Sequence, residues 1–270
     1  MPDFTLHTYR ALLTAFQKAG YTLIPFRRYL EEEPEGKYVI LRHDVDELAG
    51  NALKMATLEH QLGICATYYF RRVKGSDEPA VIKAIAAMGH EIGYHYEDLA
   101  DSNGDTGAAY RSFAENLAYF RTYAPVTTVC MHGSSASPYD NRDLWRNGGL
   151  REYGIMGEPY LSTDFSRVYY LTDTGYCWDG TKYAYRDVAP NPFGLHFHKT
   201  SQIIRSLKAG EFPPHAMLLA HTLWTDSGWL WLKLHLRQIP ASLFKRAARN
   251  NKYVYKLYAL IGAKRKKSSK

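Results

Sequence analysis

Three cysteines in 270 residues, Cys65, Cys130 and Cys177, make neither an even disulfide framework nor a C-x-x-C pair for zinc or redox chemistry. They are expected to be buried, reduced thiols, which suits a cytoplasmic protein. The chain has no apolar run near the roughly 18 residues of a membrane span. Its start, Met1-Pro2-Asp3-Phe4-Thr5-Leu6-His7, lacks the basic and apolar regions of a secretory leader. The last absence is of negative charge. No aspartate or glutamate follows Asp226, whereas residues 227–270 carry 12 lysines and arginines. Residues 1–226 hold 22 basic and 27 acidic side chains, so the net charge of +7 averages a mildly acidic body and a strongly basic end.

What remains is an ordinary globular composition, 46% hydrophobic and 23% charged, long enough to bury a sizeable core. Helical and strand patterns alternate. Thr8 to Ala19 is amphipathic and stops at Gly20, and Tyr21 to Phe26 reads as a strand before the loop Glu31-Glu32-Glu33-Pro34. Strands follow at Tyr38 to Leu41, Cys65 to Phe70, Glu91 to Tyr94 and Val126 to Met131, separated by helices at Asn51 to Leu62, Pro79 to Met88 and Tyr110 to Tyr123. The second half is looser, with short strands at Gly154 to Met156, Val168 to Leu171 and Ala216 to Ala220 and a helix at Thr200 to Leu207. This α/β order predicts a distorted or incomplete (β/α) barrel of about seven parallel strands, with its site at the C-terminal strand ends. The predicted boundary sets a barrel domain over residues 1–226 against an extension of basic amphipathic helices over 227–270.

The strand starting at Tyr38 runs into Leu41-Arg42-His43-Asp44-Val45-Asp46. Side chains two apart share a strand face, so Asp44 and Asp46 converge on one site. Two carboxylates that close repel unless a cation or proton lies between them, which suggests a metal and a base. His95, His132, Asp173 and His221 also fall just after predicted strands, where a barrel gathers its functional groups. A single histidine at a strand end usually caps a turn; several such strands together are less easily structural. Ser134 lacks a G-x-S-x-G elbow, which argues against serine hydrolysis. His7, His60, His90, His215 and His235 show no partner pattern and read as surface or turn residues, while His196 and His198 share a strand face near a proline-rich loop.

His43-Asp44-Val45-Asp46 is similar to the Asp-x-Asp signature of the polysaccharide deacetylases, metal-dependent sugar deacetylases of the NodB-homology group. Gly89-His90-Glu91-Ile92-Gly93-Tyr94-His95 resembles the signature that brings that family's first histidine ligand. More loosely, Asp173 to Asp179 resembles its Asp/Trp pocket motif and Leu218-Leu219-Ala220-His221 its late histidine strand. The resemblance spans about residues 38–225. It implies a hydrolase that removes an N-acyl group from an amino sugar, with Asp46 and His95 holding a divalent metal, Asp44 as general base and His221 protonating the leaving amine. Asp173 and Trp178 would meet the substrate. Zinc is the expected ion, with cobalt, nickel or manganese as alternatives.

The family's second histidine, four residues beyond the first, is replaced by Leu99, and its Arg-Pro motif is replaced by His132-Gly133-Ser134-Ser135. His132 is the candidate third ligand, with Glu97 or Asp98 behind it. Arg42 and His43 are equal candidates for orienting Asp44. With only two ligands the chain would be a non-catalytic carbohydrate-binding protein on the same fold; a metal-dependent phosphoesterase is the other alternative. The expected partner is a carbohydrate available in the cytosol or on its membrane face, such as a nucleotide sugar or a lipid-linked glycan. From Trp229 to Ile261 apolar and aromatic residues are interleaved with basic ones, Pro240 divides the stretch into two helices, and Lys264-Arg265-Lys266-Lys267 closes it. Such helices suit the cytoplasmic face of an anionic membrane or, equally, pack on the barrel with a solvated end, and no groove-reading motif accompanies them, so nucleic acid is not expected.

Overall fold

The computed structural model describes residues 2–32, 34–133, 137–178 and 186–237. Seven strands form one parallel sheet: β1 Thr22–Ile24, β2 Tyr38–Val45, β3 Thr67–Phe70, β4 Glu91–Tyr96, β5 Val129–Met131, β6 Tyr169–Thr172 and β7 His215–His221. The spatial order is β5-β4-β3-β2-β7-β6, curled into an incomplete barrel. β1 pairs with β2 at Tyr38 to Ile40, and β3 takes the same edge further along, at Arg42 to Val45.

Among the described residues the strands are accompanied by α1 Leu6–Lys18, α2 Phe26–Glu32, α3 Ala49–Gln61, α4 Pro79–Ala87, α5 Asp98–Asp101, α6 Thr106–Arg121, α7 Pro159–Ser162 and α8 Thr200–Ala209. α2 is a departure from the sequence expectation of a strand to Phe26 and a loop after it. Pro25 ends the strand, Phe26 is buried as an anchor, and the pairs Arg27–Glu31 and Arg28–Glu32 lie at helical spacing on the exposed face. The expected strand at Gly154 to Met156 is reduced to a single parallel bridge, Thr128 to Gly157. Residues 228–237 are helical.

Every residue of β2 is buried because the strand is covered on both faces. Its alternate residues face different surroundings. Val39, Leu41 and Val45 join the large core under the helices, with Tyr9 and Phe16 of α1, Met55 of α3 and Phe113 of α6. Tyr38 and Ile40 join a smaller plug inside the barrel, with Phe26, Phe165 and Met217. Above that plug the interior turns polar: Thr67 donates to Glu91 Oε2 at 2.6 Å, and Thr128 donates to Glu91 Oε1. Gly93 leaves room there for the Tyr69 ring, which lies 2.3 Å from where a Cβ on that residue would stand. Arg42 and Asp44 continue the same inner face upward, so the polar layer opens at the C-terminal mouth.

No disulfide joins the cysteines. Cys130 is buried as expected, but Cys65 is exposed and Cys177 half-buried, because Cys65 precedes the first paired residue of β3 instead of lying within it. Ser134, Asp179 and residues 238–270 lie outside the described residues. Among the described residues no helix is long and apolar enough to cross a membrane.

Candidate active site

Register brings the sequence candidates together. Asp44 stands opposite His221 of β7 and Tyr69 of β3, while His95 stands opposite Cys130 of β5. His95 Nε2 lies 3.7 Å from Asp44 Oδ2 and 3.5 Å from Asp46 Oδ1. His132, one residue beyond β5, brings its Nε2 to 3.5 Å from the same Asp46 oxygen. The aspartate pair, two histidines and His221 therefore share one mouth.

The far nitrogens of both imidazoles are fixed. His95 Nδ1 donates to the Cys130 carbonyl at 3.0 Å, and His132 Nδ1 donates to Glu97 Oε2 at 3.0 Å. Each ring therefore turns Nε2 toward Asp46, the arrangement in which an outer hydrogen bond orients a metal-binding histidine. Asp46 Oδ1 is buried and has no hydrogen-bond partner, although the Asp46 side chain as a whole is 34% exposed. Burial pushes the Asp46 carboxyl up, but His132, His95 and Arg71 together hold it well below the usual carboxylate range. An unsatisfied anionic oxygen between two oriented imidazoles fits a divalent cation.

Glu97 lies on the far side of the His132 ring from Asp46. Its carboxylate receives Arg71 Nη2 at 2.6 Å as well as His132, and Arg71 Nη1 is 3.7 Å from Asp46. Asp98 turns the other way, accepting from Tyr94 at 2.7 Å, Ser112 at 2.6 Å and Asn116 at 2.9 Å. Asp44, His95 and Cys130 form a second donor cluster, with one atom from each within 4.8 Å of the others. There the Arg42 guanidinium sits 2.9 Å from the sulfur, and burial pushes the thiol pKa well up. A guanidinium at that distance disfavours a further cation there, whereas the Asp46, His95 and His132 donors have no guanidinium that close among the described residues but are spread more widely than the Asp44 cluster.

Strand parity separates the two candidates for orienting Asp44. Arg42 Nη1 donates to Asp44 Oδ1 at 2.8 Å, while Nη2 donates to Tyr160 at 2.7 Å and approaches Tyr170 at 3.4 Å. Glu158 fixes Tyr160 in turn, accepting its backbone N–H and that of Leu161 at the start of α7 and that of Met131 from β5. Burial pushes the Glu158 carboxyl up to about 7. His43 faces the opposite side of β2, where Nε2 lies 2.8 Å from Glu59 Oε1 and Nδ1 donates to the Ala220 carbonyl at 3.0 Å.

Asp173 and His221 form a pair across β6 and β7. Trp224 Nε1 donates to the second oxygen of Asp173 at 2.8 Å, holding that carboxylate in place. Although burial favours the neutral ring, Asp173, with Asp46 and Asp44 beyond it, holds the His221 imidazole up at about 10. Trp178 is 2% exposed; its indole N–H donates to Thr200 at 2.8 Å and its ring packs on Phe4 and Trp224. It also lines a cavity of about 40 Å³ with Tyr170, Thr172 and Asp187.

Sequence reading missed Arg71, Tyr160, Tyr170 and Trp224 as supports. Trp224 has the one local signal, three residues after His221. The other three come from separate strands and loops. Among the remaining histidines, His90 is buried and structural, accepting from the Ala66 N–H and donating to the Ala56 carbonyl. His196 and His198 lie in an irregular segment.

No protein-family model matches the chain, and no curated protein matches it. Among solved structures it is similar to a mutant of BA3943, a CE4 family pseudoenzyme with restored enzymatic activity, at 12% identity over 77% of this chain and 64% of that one, TM-score 0.43. It is also similar to Bacillus subtilis PdaA, a family 4 carbohydrate esterase, at 12% identity over 86% and 83%, TM-score 0.41. A Streptococcus mutans CE4 esterase is similar at 15% identity over 83% and 85%, TM-score 0.42.

Proposed function

We propose that this chain is a metal-dependent hydrolase that removes an N-acyl group, acetyl in the first instance, from an amino sugar. The observation that carries this reading is the buried Asp46 Oδ1, which lacks a hydrogen bond within the protein and is met at 3.5 Å by the Nε2 atoms of both His95 and His132. Charge supports it as well. Asp44, Asp46, Glu97 and Asp173 outnumber Arg42, Arg71 and the His221 imidazolium by one, so the site is net negative and attracts a cation.

Asp46, His95 and His132 would hold the ion, zinc by its nitrogen-rich ligands or else cobalt, nickel or manganese. Bound there, it would polarise the acyl carbonyl and make water easier to deprotonate. Asp44, its orientation fixed by Arg42, accepts the proton from the attacking water. His221, carrying the proton that Asp173 stabilises, delivers it to the departing amine from the opposite side. Asp173 acts through His221, and Trp178 backs that pair through Trp224. Glu97 and Arg71 set the angles of His132 and Asp46. The substrate class is an N-acylated sugar available on the cytoplasmic side, as a nucleotide sugar or a lipid-linked glycan.

Metal analysis of the purified chain, paired with acetate release from N-acetylated sugars, tests the reading. About one ion per chain and acetate release abolished by Asp44→Asn would support it. Phosphate release from esters in place of acetate would indicate a phosphoesterase, and sugar binding without any turnover would indicate a binding protein.

A further inference from the structure

The helix at residues 228–237 has an inner and an outer side. Inside, Leu234 is buried, Trp231 Nε1 donates to the Asp3 carbonyl at 2.8 Å, and His235 stacks on Trp231 at 3.8 Å and lies 4.0 Å from the Tyr176 ring. Outside are Trp229 at 74% exposure, Leu232 at 43% and Leu236 at 58%, spaced i, i+3 and i+7, with Lys233 beside them. A helix seated on a core normally shows water its polar face. A contiguous apolar strip left outside marks an interaction surface.

Charge tells what meets it. The helix opens the stretch 227–270, which carries 12 lysines and arginines and no acid. Tryptophan and leucine on one face of a basic segment settle at the boundary between lipid headgroups and acyl chains, while the cations are drawn to anionic lipid. The helix is also tied to the candidate site. Arg237 forms an ion pair with Glu47, the residue after Asp46, and Thr222, the residue after His221, donates to the Glu47 carbonyl at 2.6 Å. The strip thus lies on an element fastened to the rim of the mouth.

We propose that the outer face of this helix docks the protein on an anionic lipid bilayer and so brings the mouth beside glycans anchored in that bilayer. Docking stands on the exposed strip and the charge; the choice of a lipid-anchored substrate rests on the hydrolase reading above.

The full chain is floated with phosphatidylcholine vesicles containing phosphatidylglycerol and with phosphatidylcholine vesicles alone, in low and high salt. The anionic vesicles carry the protein, salt releases it, and joint Trp229→Ser, Leu232→Ser and Leu236→Ser substitution weakens partitioning at least about tenfold without moving the thermal transition. Should that variant lose its transition, Trp229→Ser alone supplies the comparison. Failure of the wild type to float, or equal flotation of the variant, overturns docking. So does a fall in oligomeric state caused by the three substitutions in the absence of lipid, which would assign the strip to a second copy. Duplex DNA binding that is weakened to the same degree would assign it to nucleic acid and likewise overturn the proposal.

Asp44→Asn floats like the wild type. Acetate release from an N-acetylated glycolipid in the anionic vesicles falls in the triple variant, while release from the soluble sugar is unchanged. Equal loss on both substrates overturns the rim placement. No release by the wild type from either would count against the hydrolase alone, since flotation needs no turnover.

Discussion

Asp173 holds His221 in two ways: Oδ1 accepts the Nδ1–H at 2.6 Å, and both carboxylate oxygens accept the His221 backbone N–H at 3.0 Å. One side chain thereby fixes both the position and the charge of the imidazole, from a neighbouring strand.

A raised histidine pKa gives stability that is whole below the ordinary value of 6.5 and is lost as pH climbs toward about 10. After chelation, an NMR titration should place the His221 ring near 10, and Asp173→Asn should bring it back toward the ordinary range. Stability of the variant should then vary less with pH across that window. Asp173→Ala, which leaves the His221 backbone N–H, its Nδ1–H and the Trp224 indole N–H without their acceptor, should cost about 1–3 kcal/mol in urea unfolding at neutral pH. An unchanged His221 titration in Asp173→Asn would refute the pairing.

The two donor clusters that share His95 predict different metal losses. Competition with a chelator should show that Asp46→Ala and His132→Ala lose the ion while Cys130→Ser keeps it. Glu97→Gln, which weakens the support of His132, should lower affinity about 10–100-fold. Retention in His132→Ala with loss in Cys130→Ser would move the ion to the Asp44 cluster.

Arg42 offers a fork, with one amino group on Asp44 and the other on Tyr160. Lysine preserves the charge but not the fork, so Arg42→Lys should reduce kcat and leave KM nearly unchanged. Asp44→Asn should reduce kcat about 10²–10⁴-fold by removing the base. Arg42→Met should also cost about 3–5 kcal/mol, because it strands a buried carboxylate. Steady-state kinetics and denaturant melts separate these effects, and a KM change alone would reassign Arg42 to substrate binding.

Beneath the site, Tyr68 donates to Glu59 Oε2 at 2.8 Å, while Tyr9 at 2.5 Å and His43 at 2.8 Å meet Oε1. Burial pushes the Glu59 carboxyl up, but His43 and His90 hold it below its ordinary 4.5. A depressed acid pKa gives stability that is present above 4.5 and lost as pH falls through the folded value. Urea midpoints from neutral to acid pH should therefore decline below that point. Glu59→Gln should lose about 1.5–3 kcal/mol at neutral pH and decline less steeply in acid. Parallel pH profiles would exclude Glu59 as a source of acid lability.

Several of these relations were legible along the chain. The two-residue spacing puts Arg42, Asp44 and, just beyond the strand, Asp46 on one side, and the same parity sends His43 to Glu59. His95 follows from the alternation of β4. α2 was legible too, through Arg27–Glu31 and Arg28–Glu32, but its hydrophobic opening Phe26 reads equally well as the end of a strand.

Local periodicity by itself determined the parallel α/β order, the paired aspartates at the end of β2 and the histidine at the end of β4, because side-chain direction on a strand depends only on nearest neighbours. The tertiary structure decided which further imidazole reaches Asp46. His132 meets Asp46, and Asp98 does not, because β5 lies beside β4 while Asp98 starts a helix that turns toward α6. It also decided that Asp173 belongs to His221, since the neighbourhood of β6 and β7 brings together side chains 48 residues apart. Sheet register and loop direction arise from packing of the whole barrel, and spacing along one strand carries no record of them.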